Sequence, residues 1–214
     1  AGTRYRFEAS PTFGTLQFTQ LTADYRRYLF LRPLTLAFRG WHFGRYGRDE
    51  ARLNPIYIGN GQVMRGYSYG SVSDACSDDV TERRIPQQNS EECQVFQRLY
   101  GSRFVVANAE LRLPVLRQVV LGNGLGLPPV EGLIFFDAGT AYGDLLLGEG
   151  EVQRTRPTFR RGVQSDAGDR GIFTSAGVGA RVNLFGYAVL EGVYVNALDR
   201  PTGWHWQFSL QPGF

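Results

Sequence analysis

Residues 203–214 read Gly203-Trp204-His205-Trp206-Gln207-Phe208-Ser209-Leu210-Gln211-Pro212-Gly213-Phe214. Trp204, Trp206, Phe208, Leu210, Pro212 and Phe214 fall on one parity; His205, Gln207, Ser209 and Gln211 fall on the other. A period of two marks a strand whose two faces see different surroundings. The alternation recurs upstream, with Ile172, Thr174, Ala176, Val178, Ala180, Val182 and Leu184 against Phe173, Ser175, Gly177, Gly179, Arg181 and Asn183. It recurs again with Val105, Ala107, Ala109, Leu111 and Leu113 against Val106, Asn108, Glu110 and Arg112. In a soluble sandwich the apolar parity packs into a core and the polar parity meets water. Here the polar parity mixes glycine with Asn, Glu and Arg, and the apolar parity of residues 203–214 carries tryptophans. A lipid-facing band with aromatic girdles around a polar lumen accounts for this better; a secreted sandwich is the alternative.

Composition agrees with an all-β chain. The 27 glycines and 14% aromatic residues suit strands joined by turns rather than packed helices. No run of about 18 apolar residues exists, which excludes a membrane-spanning helix but not a barrel, whose alternating strands average out in hydropathy. Basic and acidic residues leave a net charge of only +3 and are spread along the chain, so a nucleic-acid surface is not expected. No signal peptide stands at Ala1, so a leader has been removed or the chain is an interior piece of a longer one.

Eight strands are predicted, at about residues 3–11, 16–29, 34–46, 103–113, 130–142, 171–184, 187–197 and 203–213. Parity slips near Thr19 and Gln20, near Gly40 and near Glu191 are read as bulges or misplaced boundaries. Connections at residues 31–33, 114–129 and 185–186 are short or apolar, whereas those at 47–102 and 143–170 are long, charged and glycine-rich. Long loops on one rim and shorter turns on the other suit an outer-membrane barrel.

Other side chains suggest no catalysis. Cys76 and Cys93 bracket a polar run in the long loop, and no histidine lies near enough to complete a zinc site. A disulfide closing one loop in an oxidising compartment is the reading, with two unpaired thiols as the alternative. His42 and His205 lie on different predicted strands; Asp24 or Glu191 could in principle partner one of them, but nothing in the spacing selects this. No catalytic residue, metal site or cofactor is therefore expected. Gly122-Asn123-Gly124-Leu125-Gly126 lacks the Lys-Ser/Thr of a nucleotide loop and reads as a turn. The arginine-rich run at residues 154–161 reads as a solvated loop, with contact to lipopolysaccharide phosphates as the alternative.

Met64-Arg65-Gly66-Tyr67 resembles the (V/I)-R-G-(F/Y) loop motif of the outer-membrane assembly and secretion superfamily that includes BamA, TamA and FhaC, the bacterial surface antigen barrels. Ala107-Asn108-Ala109-Glu110-Leu111-Arg112-Leu113-Pro114 and Phe135-Phe136-Asp137-Ala138-Gly139-Thr140 resemble its strands after that loop. Gly2-Thr3-Arg4-Tyr5-Arg6 and Ala23-Asp24-Tyr25-Arg26-Arg27-Tyr28 resemble strands before it. The strand ending in Phe214 resembles its terminal aromatic signature. Order and spacing agree along nearly the whole chain.

The resemblance implies an antiparallel transmembrane β-barrel in the bacterial or organellar outer membrane. Residues 1–214 would form the C-terminal half of a barrel of about sixteen strands. Eight strands closed alone would leave room for side chains but not for a folded-in loop. The remainder would come from the same chain, a second copy or another subunit. The loop at residues 47–102 would fold into the lumen. There Arg65 would form charge-assisted hydrogen bonds to Asp137 and Glu110, Gly66 would allow close approach to the wall, and Tyr67 would pack on side chains such as Phe135. The implied activity is insertion of client barrels or translocation of polypeptide at a lateral seam carrying Trp204, Trp206, Phe208 and Phe214. Implied partners are outer-membrane lipid, lipopolysaccharide and client polypeptides. A passive pore, an adhesin or an anchor for a passenger domain is the alternative.

Overall fold

The computed structural model describes residues 2–70, 91–116, 119–120, 126–146, 151–162 and 168–212. Its strands are β1 (Gly2–Thr12), β2 (Phe18–Leu31), β3 (Leu34–Tyr46), β4 (Ile56–Tyr57), β5 (Tyr100–Gly101), β6 (Arg103–Leu116), β7 (Val119–Val120), β8 (Gly126–Leu127), β9 (Val130–Leu146), β10 (Val152–Arg161), β11 (Asp169–Leu184), β12 (Ala188–Ala197) and β13 (Trp204–Pro212). A 3-10 turn, Glu50–Arg52, and a helix, α1 (Glu91–Arg98), lie between β3 and β5.

One nine-stranded sheet dominates, in the order β1-β2-β3-β6-β9-β10-β11-β12-β13, with β9 also pairing β11 directly. The period-two segments appear as β1, β2, β3, β6, β9, β11, β12 and β13, each antiparallel to its neighbour along this order once β10 is set aside. Their lengths, from 9 to 17 residues, meet or exceed the roughly 9–11 a tilted strand needs to cross a bilayer. Among the described residues, β1 pairs only β2 and β13 only β12, so the sheet carries two open edges.

Parity assigns the faces. Tyr5, Phe7, Tyr25, Phe38, Ile134, Phe136, Val178, Trp204, Trp206, Phe208 and Leu210 point outward and are exposed, Phe208 by 71%. A continuous exposed apolar surface of this extent suits a hydrocarbon solvent. The opposite face carries Ile58, Val63, Met64 and Tyr67 of the long loop.

Two expectations need correction. The arginine-rich run at residues 154–161 lies within a strand, β10, and not in a loop. Its start continues the hairpin from β9 (Val152 opposite Leu146), and its middle runs parallel to β11 at Asp169 and Arg170. The alternating Gln153, Thr155 and Pro157 among the arginines were the strand signal, hidden by the density of charge. The parity slips near Thr19 and Gln20, Gly40 and Glu191 are not bulges, since β2, β3 and β12 hold unbroken register through them; the first does coincide with a misplaced boundary, because β2 begins at Phe18 and not at residue 16. Register shifts instead between Pro114 and Leu116 in β6, and between Pro157 and Arg161 in β10. The slips arise because the inner face is not uniformly polar. Trp41 and Phe43 of β3 point inward to the apolar core, Val195 of β12 lies beside Gly66, and Val193 packs with Leu133 and Phe135 of the wall, so all four read as though on the wrong parity.

The interior therefore has two zones. Next to the longer loops, an apolar core gathers Ile58, Val63, Met64, Tyr67, Val95, Leu99, Phe104, Val106, Ala141, Phe173 and Ala197. Helix α1 supplies Val95 to it; no periodicity in the long loop announced this helix. Next to the tight turns the inner face is charged and surrounds a cavity of about 440 Å3 whose walls include Arg26, Arg39, Arg112, Arg181, Glu131 and Asn183.

Candidate functional site

The motif loop lies across the inner face where the two zones meet. Its approach is fixed by backbone contacts. Asn60 accepts from the amides of Val63 and Met64 through its carbonyl, at 3.0 and 2.8 Å, which curls the chain before the motif. Gly59 admits no side chain, because a Cβ there would lie 2.1 Å from the Tyr67 carbonyl oxygen. Met64 is fully buried, and its sulfur sits where a Cβ on Gly139 would come within 3.2 Å.

Arg65 follows, 4% exposed, and its fork is matched to two carboxylates on adjacent strands. Nε donates to Asp137 Oδ2 at 2.8 Å, Nη2 to Asp137 Oδ1 at 2.7 Å, and Nη1 to Glu110 Oε1 at 2.8 Å. The Arg65 amide also donates to Asp137 Oδ2, at 3.2 Å. The sheet delivers these acids together because Asn108 of β6 pairs with Asp137 of β9, placing Glu110 one inward step away opposite Phe135. Asn108 Nδ2 donates to Asp137 Oδ1 at 2.9 Å and to the Val63 carbonyl at 3.1 Å, joining acid and loop. The guanidinium carbon lies 3.7 Å from the centre of the Phe135 ring. Phe135 pairs with Gly177, and a Cβ there would stand 2.7 Å from the ring, so the glycine leaves the aromatic room to lie along the wall beneath the cation.

Charge is balanced across the cluster. Arg112 donates to Glu110 Oε2 at 2.8 and 2.6 Å, and Arg181 bonds Glu191, whose Oε1 lies 3.7 Å from Arg65 Nη1. The guanidiniums of Arg65, Arg112 and Arg181 thus face the carboxylates of Asp137, Glu110 and Glu191. Burial would by itself lower the pKa of Arg65, but its bonds to Asp137 and the charges of Asp137, Glu110 and Glu191 outweigh burial and hold it above its ordinary value. The arrangement is a fixed electrostatic joint.

Gly66 takes a left-handed backbone, φ 88°, and lies so close to β12 that a Cβ would approach Val195 Cγ2 to 3.0 Å. Its amide donates to Gln207 Oε1 at 2.7 Å, and its carbonyl accepts from Arg200 Nη1 at 3.0 Å. Tyr67 is fully buried. Its ring meets Phe173 edge-on at 5.9 Å, which corrects the expectation of Phe135: that ring is occupied by Arg65. The Tyr67 hydroxyl donates to the Thr174 carbonyl at 2.7 Å.

The remaining sites are placed as follows. Trp204, Trp206 and Phe208 line the outer face of β13, with Tyr194 against both tryptophans at ring separations of 5.2 Å; Phe214 lies outside the described residues. Cys93 is fully buried on α1 beside Phe96, and Cys76 lies outside the described residues. Of the Gly122–Gly126 turn, only Gly126 is among them. His42 bonds the Phe104 carbonyl and the Tyr46 hydroxyl at 2.8 and 2.9 Å, and His205 Nδ1 lies 3.2 Å from the Gly203 carbonyl. Asp24 pairs with Arg26 and Arg39 and Glu191 with Arg181, so neither acid partners a histidine. Sequence reasoning missed Asn108, Arg200 and Gln207 as ligands of the motif. Asn108 and Gln207 stood on the inward parity of their strands, which was the available signal; Arg200 lies in a turn and carried none.

No curated protein matches the chain. A family model described as the Omp85 superfamily domain matches residues 1–209. With that match over nearly the whole length, on a sheet with an apolar outer face and a lumen-bound motif loop, the chain belongs to the Omp85 superfamily, a family of outer-membrane β-barrels of bacteria and organelles.

Proposed function

We propose that this barrel inserts client β-barrels into the outer membrane or passes polypeptide across it, with the open edge of β13 as the place where client strands pair. The observation that supports the reading is a motif loop locked against the inner face of β13, whose far ladder edge is unpaired among the described residues. An exposed edge recruits an extended chain by main-chain hydrogen bonding. Pro212, at the end of β13, contributes no amide to a ladder, which weakens a permanent closure at that point. The Arg65 joint sets where the loop rests rather than adding net stability, since a buried ion pair offers little over an apolar isostere but tolerates only one register. Neither edge of the sheet can remain open to lipid, so the lumen is completed by about eight further strands from the same chain, a second copy or another subunit. No catalytic step belongs to this reading.

The test uses the full-length protein in phosphatidylethanolamine–phosphatidylglycerol vesicles, supplied with a urea-denatured client barrel. Folded, protease-protected client is expected to accumulate many times faster than in empty vesicles. Lipopolysaccharide added to the vesicles reports whether the exposed arginines of β10 engage its phosphates. Ion conductance without client folding would replace the reading with that of a passive pore. The same proposal includes a Cys76–Cys93 disulfide that pins α1 in the long loop. Mass spectrometry of unreduced proteolytic fragments is expected to recover the linked pair, and alkylation of both thiols without reductant would remove it.

A further inference from the structure

The motif is held from two sides, and only one of them is the arginine joint. Arg65 is bound by β6 and β9. The next residue belongs to the terminal hairpin: the Gly66 amide is bound by Gln207 of β13, and its carbonyl by Arg200 of the β12–β13 turn. Two glycines make this approach possible. Gly66 rests on Val195 and Ala197 of β12, while a Cβ on Gly61 would stand 2.9 Å from Gln207 Nε2 and 3.3 Å from Ser209 Cβ. Asp199, beside Arg200, accepts from the Thr174 amide at 2.7 Å and lies 3.2 Å from the Tyr67 hydroxyl, so the turn itself is tied to the strand that carries the motif tyrosine's partner. The inward face of β13 is thus anchored to the loop, while its outward face is bare aromatic surface and one ladder edge is unpaired among the described residues.

We propose that Gln207 is a positioning residue that latches the terminal strand to the motif loop, so that β13 cannot swing away from the lumen without first giving up the Gly66 hydrogen bond. This deepens the function proposed above and rests on β13 being the strand that opens. Gln207 is 8% exposed, so a broken latch leaves an amide and a carboxamide oxygen buried without partners, and the strand has two states rather than a continuum. The loop and the seam then form one device: whatever shifts the motif loosens the strand, and a client that displaces the strand loosens the motif.

Trp204 and Trp206 report on β13 and Trp41 on the far wall, so the full-length protein labelled with fluorotryptophan and placed in lipid nanodiscs supplies the readout by fluorine NMR, with single Trp→Phe variants assigning the signals. Gln207→Leu, which fills the same space without an acceptor, is expected to split or broaden the Trp204 and Trp206 resonances and leave Trp41 sharp. Gln207→Glu, which keeps an acceptor oxygen at the same reach, restores the sharp lines. Arg200→Met removes the other bond to Gly66, leaves Gln207 in place, and gives the same broadening should Gln207→Leu fail to reach the membrane. Unchanged Trp204 and Trp206 lines in a membrane-inserted Gln207→Leu protein would overturn the latch, as would equal broadening in Gln207→Glu. Broadened lines with wild-type client folding would support the latch and overturn the seam instead.

Discussion

Arg65→Ala is expected to release the motif loop from the lumen while leaving the barrel in the membrane. Asp137 is fully buried and receives from the Arg65 side chain twice, from the Arg65 amide and from Asn108. Without the guanidinium, a carboxylate remains in a closed site with only neutral donors. Removing one member of a buried pair costs about 3–5 kcal/mol. That is two orders of magnitude or more in the ratio of docked to undocked loop. The wall itself is held by ladders that do not involve Arg65, so membrane insertion and heat-modifiable migration should persist. Proteinase K added from the loop side of intact membranes should cut the motif segment in Arg65→Ala and spare it in the wild type, and client folding or secretion should fall by up to about a hundredfold on the same arithmetic. Arg65→Lys keeps the charge but not the fork that spans Asp137 and Glu110, and should fall between the two. Combining Arg65→Ala with Asp137→Ala should cost less than the two changes summed, because the second removes the stranded charge. A protected loop with unaltered activity in Arg65→Ala would refute the brace.

The second large effect belongs to Tyr67. Its side chain is fully buried among Phe173 and the inner ends of β11 and β12, and truncating a buried aromatic to alanine costs about 3–5 kcal/mol. Tyr67→Ala should therefore shorten the proteolytic half-life of the loop as much as Arg65→Ala does, although no charge is touched. Tyr67→Phe keeps the ring on Phe173 and loses only the hydroxyl bond to the Thr174 carbonyl, about 1 kcal/mol. The contrast separates packing from hydrogen bonding. Equal half-lives for wild type and Tyr67→Ala would mean that the apolar zone does not hold the loop, and that the charge cluster alone does.

The strands were legible because the lipid and the lumen impose opposite demands on neighbouring residues, and those demands are written as alternation. Where that contrast fails, the reading faltered. Trp41, Phe43, Val193 and Val195 face inward yet are apolar, since what they meet is packed protein, the loop or a neighbouring wall residue, and not water. The resulting parity slips suggested bulges in strands whose register is continuous. β10 was missed for the opposite reason: Arg154, Arg156, Arg160 and Arg161 hide an extended chain behind a composition typical of solvated loops. Helix α1 is short and sits in a segment whose local pattern is dominated by polar residues; its burial depends on Tyr57, Tyr100 and the barrel wall, which come from elsewhere in the sequence.

For the motif, the resemblance of Met64-Arg65-Gly66-Tyr67 to the family's loop motif, joined to the inward parity of Glu110 and Asp137, brought the cation and its two acids into one expectation. Parity is a local property, so a single strand reveals it. Which aromatic ring each motif residue meets, and that Gln207 and Arg200 grip the peptide of Gly66, depend on the registers of β6 on β9, β9 on β11 and β12 on β13, each set by hydrogen bonding between segments up to 141 positions from the loop. The sequence by itself determined which face meets lipid in the strands that alternate cleanly, such as β6, β11 and β13, because solvent preference is a property of single side chains. Only the tertiary structure decided the remaining partners, Arg112 on Glu110, Arg181 on Glu191 and Gln207 and Arg200 on Gly66, because partner choice depends on distances between strands that no local pattern encodes.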